Sequence, residues 1–466
     1  SFDVNSVAAE IQNVSTGLSA YALQSYFTRL QLNYNKRYLI SMSIRTDGSS
    51  RFAPENRYGY FPSASAGWMI SEEDFWPIKR SSAKIRASYG STGNQTGIET
   101  YAYRAIVGGG YNYNNQNGLG ISSSGNRNLQ WEKADQSDVG IDLSFLNGAI
   151  TFTADAFIKD TKNLLFSRPT SPTIGFTSYM SNIGSMQNKG MEFTAGYNLN
   201  KGSFSYQTNF NISFVKNKLT SLLGDDVIIR PDATHILKVG EEVGSFYMIK
   251  QIGIYQSDEE IPAKIYAQGV RAGDVMYEDV NEDGDIDREN DSQIVGSANP
   301  KFTAGWNHSF KYKNFDFSFF LNSSYGNKVY QLWTGGYRMG NGTWPMLQSE
   351  ADKRWTGPGT SNTVPRAIYG VSWNSTKFPT TRFLHDGSYI RLRNATLGYT
   401  LPKKLVKKLH IESCRFYVQG DNLFLITKYP LLDPEVSVNL SPANMGYDFL
   451  LPSQPVAINL GVNIKL

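Results

Sequence analysis

The sequence is short of charge. Of its 466 residues, 18% are Asp, Glu, Lys or Arg, against about 25% in average soluble domains. Lys and Arg outnumber Asp and Glu by 45 to 41, and no basic tract gathers the formal net charge of +4, so nothing argues for a nucleic-acid partner. The single cysteine, Cys414, cannot form an internal disulfide, and no Cys/His pair has zinc-site spacing. His235, His308, His385 and His410 lie far apart, in no ligand or triad spacing. No apolar run approaches the roughly 18 residues a transmembrane helix needs. The start, Ser1-Phe2-Asp3-Val4, has neither an initiator Met nor a charged-then-apolar leader, so the chain is expected to come from the middle of something longer. Aromatics, by contrast, are plentiful: 28 Tyr and 26 Phe. With 40% hydrophobic residues and little net charge, disorder is excluded. Length alone suggests about three ordinary domains, a rule that large barrels break.

Strand-like alternation dominates the chain. Phe302, Ala304, Trp306, His308, Phe310 and Tyr312 alternate with Lys301, Thr303, Gly305, Asn307, Ser309 and Lys311. Phe315, Phe317, Phe319 and Leu321 then alternate with Asn314, Asp316, Ser318 and Asn322, across a tight turn at Lys313-Asn314. The run Val456/Ile458/Leu460/Val462/Ile464/Leu466 does the same at the C-terminal end. Period two is the strand signature, and the joined runs signal a hairpin. The runs are longer than sandwich strands, and their polar face is Asn, Ser, Thr, Gln and Gly rather than charge. That pattern predicts an all-β transmembrane antiparallel barrel, apolar toward lipid and polar toward a lumen. Tyr34, Tyr38, Tyr197, Tyr312, Tyr399 and Tyr417, at strand ends, suit interfacial girdles, with plain packing the competing reading for any one of them.

Thirteen segments are expected, near 21–35, 36–48, 60–71, 82–91, 132–146, 149–163, 184–200, 203–217, 299–312, 314–327, 388–401, 412–426 and 454–465. Their connections alternate short and long, the long ones spanning 49–59, 92–131, 164–183, 218–298, 328–387 and 427–453. Outer-membrane barrels divide short periplasmic turns from long extracellular loops in this way. Bacterial single-chain barrels have even strand numbers, so residues 1–466 are expected to be the C-terminal part of one larger barrel. In the run Ile390 to Leu401 the apolar residues switch parity, which a β-bulge near Arg393-Asn394 would reconcile; the alternative is that 388–393 rises above the membrane.

Several runs carry a family resemblance. Arg45-Thr-Asp-Gly-Ser-Ser-Arg-Phe52, Tyr58-Gly-Tyr-Phe-Pro-Ser-Ala-Ser-Ala-Gly-Trp68, Asn182-Ile-Gly-Ser-Met-Gln-Asn-Lys-Gly-Met-Glu192, Tyr389-Ile-Arg-Leu-Arg-Asn-Ala-Thr-Leu-Gly-Tyr-Thr-Leu-Pro402 and Val418-Gln-Gly-Asp-Asn-Leu-Phe424 keep their order along nearly the whole chain. So do Ala87-Ser-Tyr-Gly-Ser-Thr-Gly-Asn-Gln95 and Gly273-Asp-Val-Met-Tyr-Glu-Asp-Val-Asn-Glu-Asp-Gly-Asp-Ile-Asp287. Together they resemble the SusC-like (RagA-like) TonB-dependent outer-membrane transporters of Bacteroidetes. The resemblance implies a plugged barrel of the 22-stranded class, these thirteen strands being its last. It implies cell outer-membrane localisation, import of a large nutrient powered by TonB, and a SusD-like surface lipoprotein as lid. Oligosaccharide is the leading substrate and oligopeptide the second. Neither a plug domain nor a TonB-contacting segment is found in the sequence, so a fragment is expected. A passive porin and a soluble β-rich adhesin or carbohydrate-binding protein are the alternatives.

Within the 218–298 loop, Asp279, Asn281, Asp283, Asp285 and Asp287, with Gly284 between, match the first nine positions of a Ca²⁺ loop, where alternate oxygens converge on a hard cation. The twelfth position is Asn290, with Asp291 one residue late. A solvated acidic turn is the competing reading. Among the aromatics of the long loops, Trp333, Trp344, Trp355, Trp373 and Tyr330 are candidates to face substrate or lid, since rings stack on sugars; packing within the loops is the alternative. Trp131, Tyr111, Tyr113 and Tyr369 belong to the same set. Arg391 and Arg393 either line the lumen or bridge loop carboxylates. Cys414 shares parity with Phe416 and Val418, which places it toward lipid. The glycines of 93–97 and 108–110 lack the strand–loop–helix context of a phosphate-binding loop. No Ser/His/Asp or paired-carboxylate constellation emerges, so no enzyme is expected.

Overall fold

The structure is a computed structural model that describes residues 19–113, 116–171, 173, 178–222, 232–332, 345–370, 373–374, 377–408, 411–439, 441–449 and 451–466. Thirteen long strands form one sheet: β1 (Leu23–Tyr34), β2 (Tyr38–Ser49), β3 (Tyr58–Met69), β4 (Ser82–Asn94), β5 (Glu132–Phe145), β6 (Ile150–Lys162), β7 (Ser185–Lys201), β8 (Phe204–Ser221), β9 (Phe302–Tyr312), β10 (Phe315–Tyr325), β11 (Tyr389–Thr400), β12 (Ser413–Thr427) and β13 (Ala457–Lys465). Their order in the sheet is their order in the sequence. Each of the thirteen expected segments is one of these strands.

Local chemistry explains the hairpins. Between β1 and β2, Asn35 and Lys36 both adopt positive φ (51° and 59°), and Arg37 N donates to Tyr34 O at 3.0 Å. Two central residues of positive φ match the twist of the flanking strands, and Asn tolerates that conformation best after Gly. Leu146, Asn147 and Gly148 turn β5 into β6 in the same conformational region. The predicted bulge is present: the register of β11 skips Arg393 against both β10 and β12.

The chain divides into two compact units, Ser1–Gly67 with Ala87–Ser137 and Lys159–Met186, and Trp68–Arg86 with Asp138–Ile158 and Gln187–Leu466. In the first, Phe52, Ile98 and Leu129 are buried and packed with Trp131; the Phe52 and Trp131 ring centroids lie 5.1 Å apart. In the second, segments expected as loops carry strands and cores of their own. Ser245–Ile249 pairs with His235–Ile236 and with Ser292–Ser297. Lys328–Gln331 pairs with Leu384–Asp386 and with Tyr447–Asp448. One cluster joins Ile249, Ile254, Val275 and Tyr277 to Trp373 and Phe378; another joins Phe246 and Met248 to Tyr330, Phe383 and Tyr447.

The outward strand face stays apolar and exposed. Leu397, Phe416, Val418, Leu460 and Val462 all expose large apolar side chains, a surface that fits lipid rather than water. The opposite face carries charge in a recurring form. Arg415 of β12 reaches over β11 to Asp316 of β10, with Nε–Oδ1 at 2.9 Å, and Arg86 of β4 reaches over β5 to Asp155 of β6 at 2.7 Å. The strand crossed carries glycine each time: a Cβ at Gly398 would sit 2.4 Å from Arg415 Nη2, and one at Gly140 2.4 Å from Asp155 Oδ1. Tyr417 departs from its expected girdle place, since its ring lies on this inner face over Gly461. Cys414 is buried at 5% exposure in a strand against which the helix Lys403–Lys408 packs, so it does not face lipid openly.

Candidate functional site

The segments that join the strands at their long-loop end hold most of the residues singled out in the sequence. Trp333 and Trp344 lie outside the described residues, as do the side chains of Tyr111 and Tyr113. Trp373 is 4% exposed and Tyr330 7%, so neither offers a ring face to a ligand; both are core. The Trp373 indole N–H donates to Val275 O at 2.8 Å, and the Tyr277 hydroxyl donates to Trp373 O at 2.7 Å. Burial pushes the Tyr277 hydroxyl far up from its usual pKa. Trp355 is half-buried against the same cluster, its indole donating to Gln256 Oε1 at 3.2 Å. Tyr369 is the counter-example, exposed at 84%.

The acidic loop folds on itself. Asp279 Oδ2 accepts from Gly284 N at 2.8 Å, closing the sharp turn that glycine permits. Asp283 Oδ1 accepts from Asp285 N, and Asn281 Oδ1 from Asp283 N. Asp291, the residue one place late for the Ca²⁺ pattern, clamps both ends of the loop: its two oxygens accept from Val280 N and Asp287 N at 2.9 and 2.7 Å. The backbone N–H of Asn290 and its side-chain amide hold the Asp287 carboxyl below its usual range. Lys264 donates to the main-chain Asp283 O and Gln268 to Asp285 Oδ1, so the loop's oxygens are hydrogen-bonded from the neighbouring helix as well as from their own backbone. Among the described residues no three His, Cys, Asp or Glu side chains are placed to hold a metal, while Asp279 Oδ1 is shielded from solvent and lacks a hydrogen-bond partner.

Three polar knots tie the connections together, and sequence reading anticipated only one. Arg391 (3% side-chain exposure) pairs with Asp433 (1%) at 2.6 Å, and its Nε lies 2.6 Å from Glu435 Oε2, outside hydrogen-bond alignment. Arg393 and the Tyr389 hydroxyl also meet Glu435, so these arginines bridge loop carboxylates. The second knot is Asp274, wholly buried, which accepts from Arg366 Nε at 2.7 Å, Asn374 Nδ2 at 2.8 Å and Arg271 N at 2.8 Å. The third is His235, whose Nδ1 donates to Asp232 at 3.0 Å and whose Nε2 faces Met445 O at 2.9 Å. Apart from the Asp232–His235 and Arg271–Asp274 contacts, each three residues apart, their partners lie tens to hundreds of residues away, where no local spacing signals them.

The Asp232 knot predicts a pH dependence. Burial raises its pKa, but donors from His235, Tyr447 and Thr234 outweigh burial and hold it at about 2, below the unfolded value of 3.8. A depressed carboxylate stabilises fully above its unfolded pKa and loses that contribution as pH falls through the folded one. The shift corresponds to about 2 kcal/mol. Hydrogen-exchange protection of Tyr247 N–H, which donates to Thr234 O, should therefore hold down to about pH 4 and fall between there and about pH 2. Asp232→Asn should show lower, flat protection over that window; an unchanged wild-type profile would count against the assignment.

With the fold and its connections in place, comparison with known proteins identifies the chain. Residues 3–423 match the family model described as TonB dependent receptor-like, beta-barrel. TonB-dependent receptor P3 of Formosa agariphila is 33% identical across 97% of this chain and 46% of its own length. TonB-dependent receptor SusC of Bacteroides thetaiotaomicron is 32% identical across 93% of this chain and 44% of its own. The chain thus spans about half the length of the curated relatives it matches. A solved structure of the RagAB peptide transporter superposes with a TM-score of 0.82 over 96% of this chain and 47% of that one, at 24% identity, a likeness of fold. The exposed apolar strand faces, the short and long connections and the matched model agree: this chain belongs to the β-barrel family of TonB-dependent receptors of the outer membrane.

Proposed function

We propose that the protein to which this chain contributes imports a large nutrient across the outer membrane, with energy delivered through TonB and a SusD-like surface lipoprotein closing the extracellular side. Oligosaccharide is the favoured substrate and oligopeptide the second, a peptide being the cargo named for the RagAB transporter of similar fold. The observation that carries the reading is the folding of three long connections into packed cores beside a strand array whose inner face is polar. A passive pore needs only a constriction, whereas a lidded importer needs an ordered platform on which capture and closure can occur. Tyr369 is the described aromatic best placed to stack on substrate or lid. No residue here is assigned a bond-making role.

Uptake of labelled oligosaccharide by cells expressing the full-length protein should fall to background when TonB is deleted. Uptake that persists would instead favour the passive pore. Affinity purification of the full-length protein should recover a surface lipoprotein, whose absence would remove the lid.

Calcium at Asp279, Asn281, Asp283, Asp285 and Asp287 is a separate proposal. Asp279 Oδ1 is an acceptor left for an ion, Asp283 would have to exchange the Asp285 N–H for it, and Asp285 would supply its carbonyl. A chelator-sensitive Tm, restored by Ca²⁺, is the expected result; a Tm indifferent to both rejects it.

A further inference from the structure

The outward face of β10 to β13 holds a groove of about 570 Å³ near the short-turn end of these strands. Two cross-strand rows line it. Tyr399, Phe416 and Val462 are register partners in one row, and Leu397, Val418 and Leu460 in the next. Every one of these side chains is apolar apart from the Tyr399 hydroxyl. All sit within five residues of Thr400, Ser413 or Lys465, the strand termini on that side, hence within about 17 Å of them.

Lysines crowd those termini. Lys403, Lys404 and Lys407 are exposed on the six-residue helix between β11 and β12, whose Val406 is buried. Lys313 is exposed in the β9–β10 turn, which is tied to β11 by Asn314 Nδ2 donating to Thr400 O at 2.6 Å. Lys465 ends β13 and pairs with Glu412 at 2.7 Å. The other nearby acid, Asp316, faces inward and is held by Arg415. The cationic excess therefore stands beside an apolar groove, at the level where lipid headgroups meet water.

We propose that this surface is a binding site for an anionic glycerophospholipid of the periplasmic leaflet. An acyl chain lies in the groove, and the headgroup phosphate meets Lys403, Lys404 and Lys407. Charge complementarity decides the occupant: long lysine stems run along apolar surface while their ammonium groups reach the phosphate, and basic clusters at a membrane surface select anionic headgroups. The short turns mark the periplasmic side in this family of barrels, which places the site away from the nutrient-facing loops.

The test uses the full-length protein purified in neutral detergent and examined by native mass spectrometry with added phosphatidylglycerol, phosphatidylcholine or lipid A. Phosphatidylglycerol should be retained preferentially. Lys403→Gln, Lys404→Gln and Lys407→Gln, all on exposed positions that leave the core untouched, should weaken retention about five-fold per lysine removed. Val418→Trp, which fills the groove without altering charge, should weaken it as well. Equal retention of phosphatidylcholine, preference for lipid A, or retention unaffected by either kind of variant would overturn the proposal. Heat-modifiable migration on gels confirms that each variant is folded before it is scored.

Discussion

Arg391→Ala should destabilise the protein by about 3–5 kcal/mol, the range for removing one partner of a buried ion pair. Arg391 is 3% exposed and faces Asp433 and Glu435, with Asp433 at 1%. Once the guanidinium is gone, Asp433 stays in a low-dielectric setting without a cation, while Glu435 keeps Arg393 and the Tyr389 hydroxyl. Asp433 retains backbone N–H bonds from Glu435 and Gln454, which cannot replace a full positive charge. The loss should be local before it is global, because Asp433 and Glu435 anchor the segment between β12 and β13. That segment carries Met445 and Tyr447, which grip His235 and Thr234. Limited proteolysis should show cleavage within 428–453 in the variant under conditions that leave wild type intact. Arg391→Lys should rescue only partly, since an ammonium cannot serve both carboxylates with one planar fork. A variant as resistant as wild type would show that the pair contributes little.

Trp373→Ala should cost about 3–5 kcal/mol, the usual range for truncating a fully packed aromatic. The ring packs against Tyr277 and Phe378 at 5.5 and 5.9 Å between centroids, and its N–H and carbonyl both bond to residues almost a hundred positions away. The expected phenotype is a loosened 249–286 segment and lower yield of folded protein. Tyr369→Ala, at an exposed position, should change stability by no more than about 0.5 kcal/mol while reducing uptake or lid binding. Thermal unfolding and uptake measured on both variants separate the roles. If Trp373→Ala retained full stability and lost only uptake, the ring would belong to the binding surface after all.

The contrast between these two aromatics marks what was legible. Both sit in a connection of mixed polar and aromatic residues, and neither has a neighbour pattern that tells core from surface. The strands were different. Leu397, Tyr399, Phe416 and Val418 announce their face by parity alone, and even the bulge at Arg393 was visible as a parity switch. Tyr417 was misplaced only because its position near a strand end outweighed its parity with Arg415. In the acidic loop, spacing identified the turn correctly, but whether its oxygens meet an ion or backbone N–H groups is a matter of orientation, which spacing does not encode.

The sequence by itself therefore determined the number, order and sidedness of the thirteen strands, while the runs from Arg45 to Phe424 carried the family resemblance. Each of those strand properties is written in a two-residue period and in hairpin turns, interactions that span only a few positions. Tertiary structure alone decided which loop aromatics are core, which carboxylates are partnered, and where lysines gather beside an apolar groove. Those outcomes depend on contacts such as Val275 with Trp373 and His235 with Met445, where the chain must fold back across about 100 to 200 residues before either partner's surroundings exist.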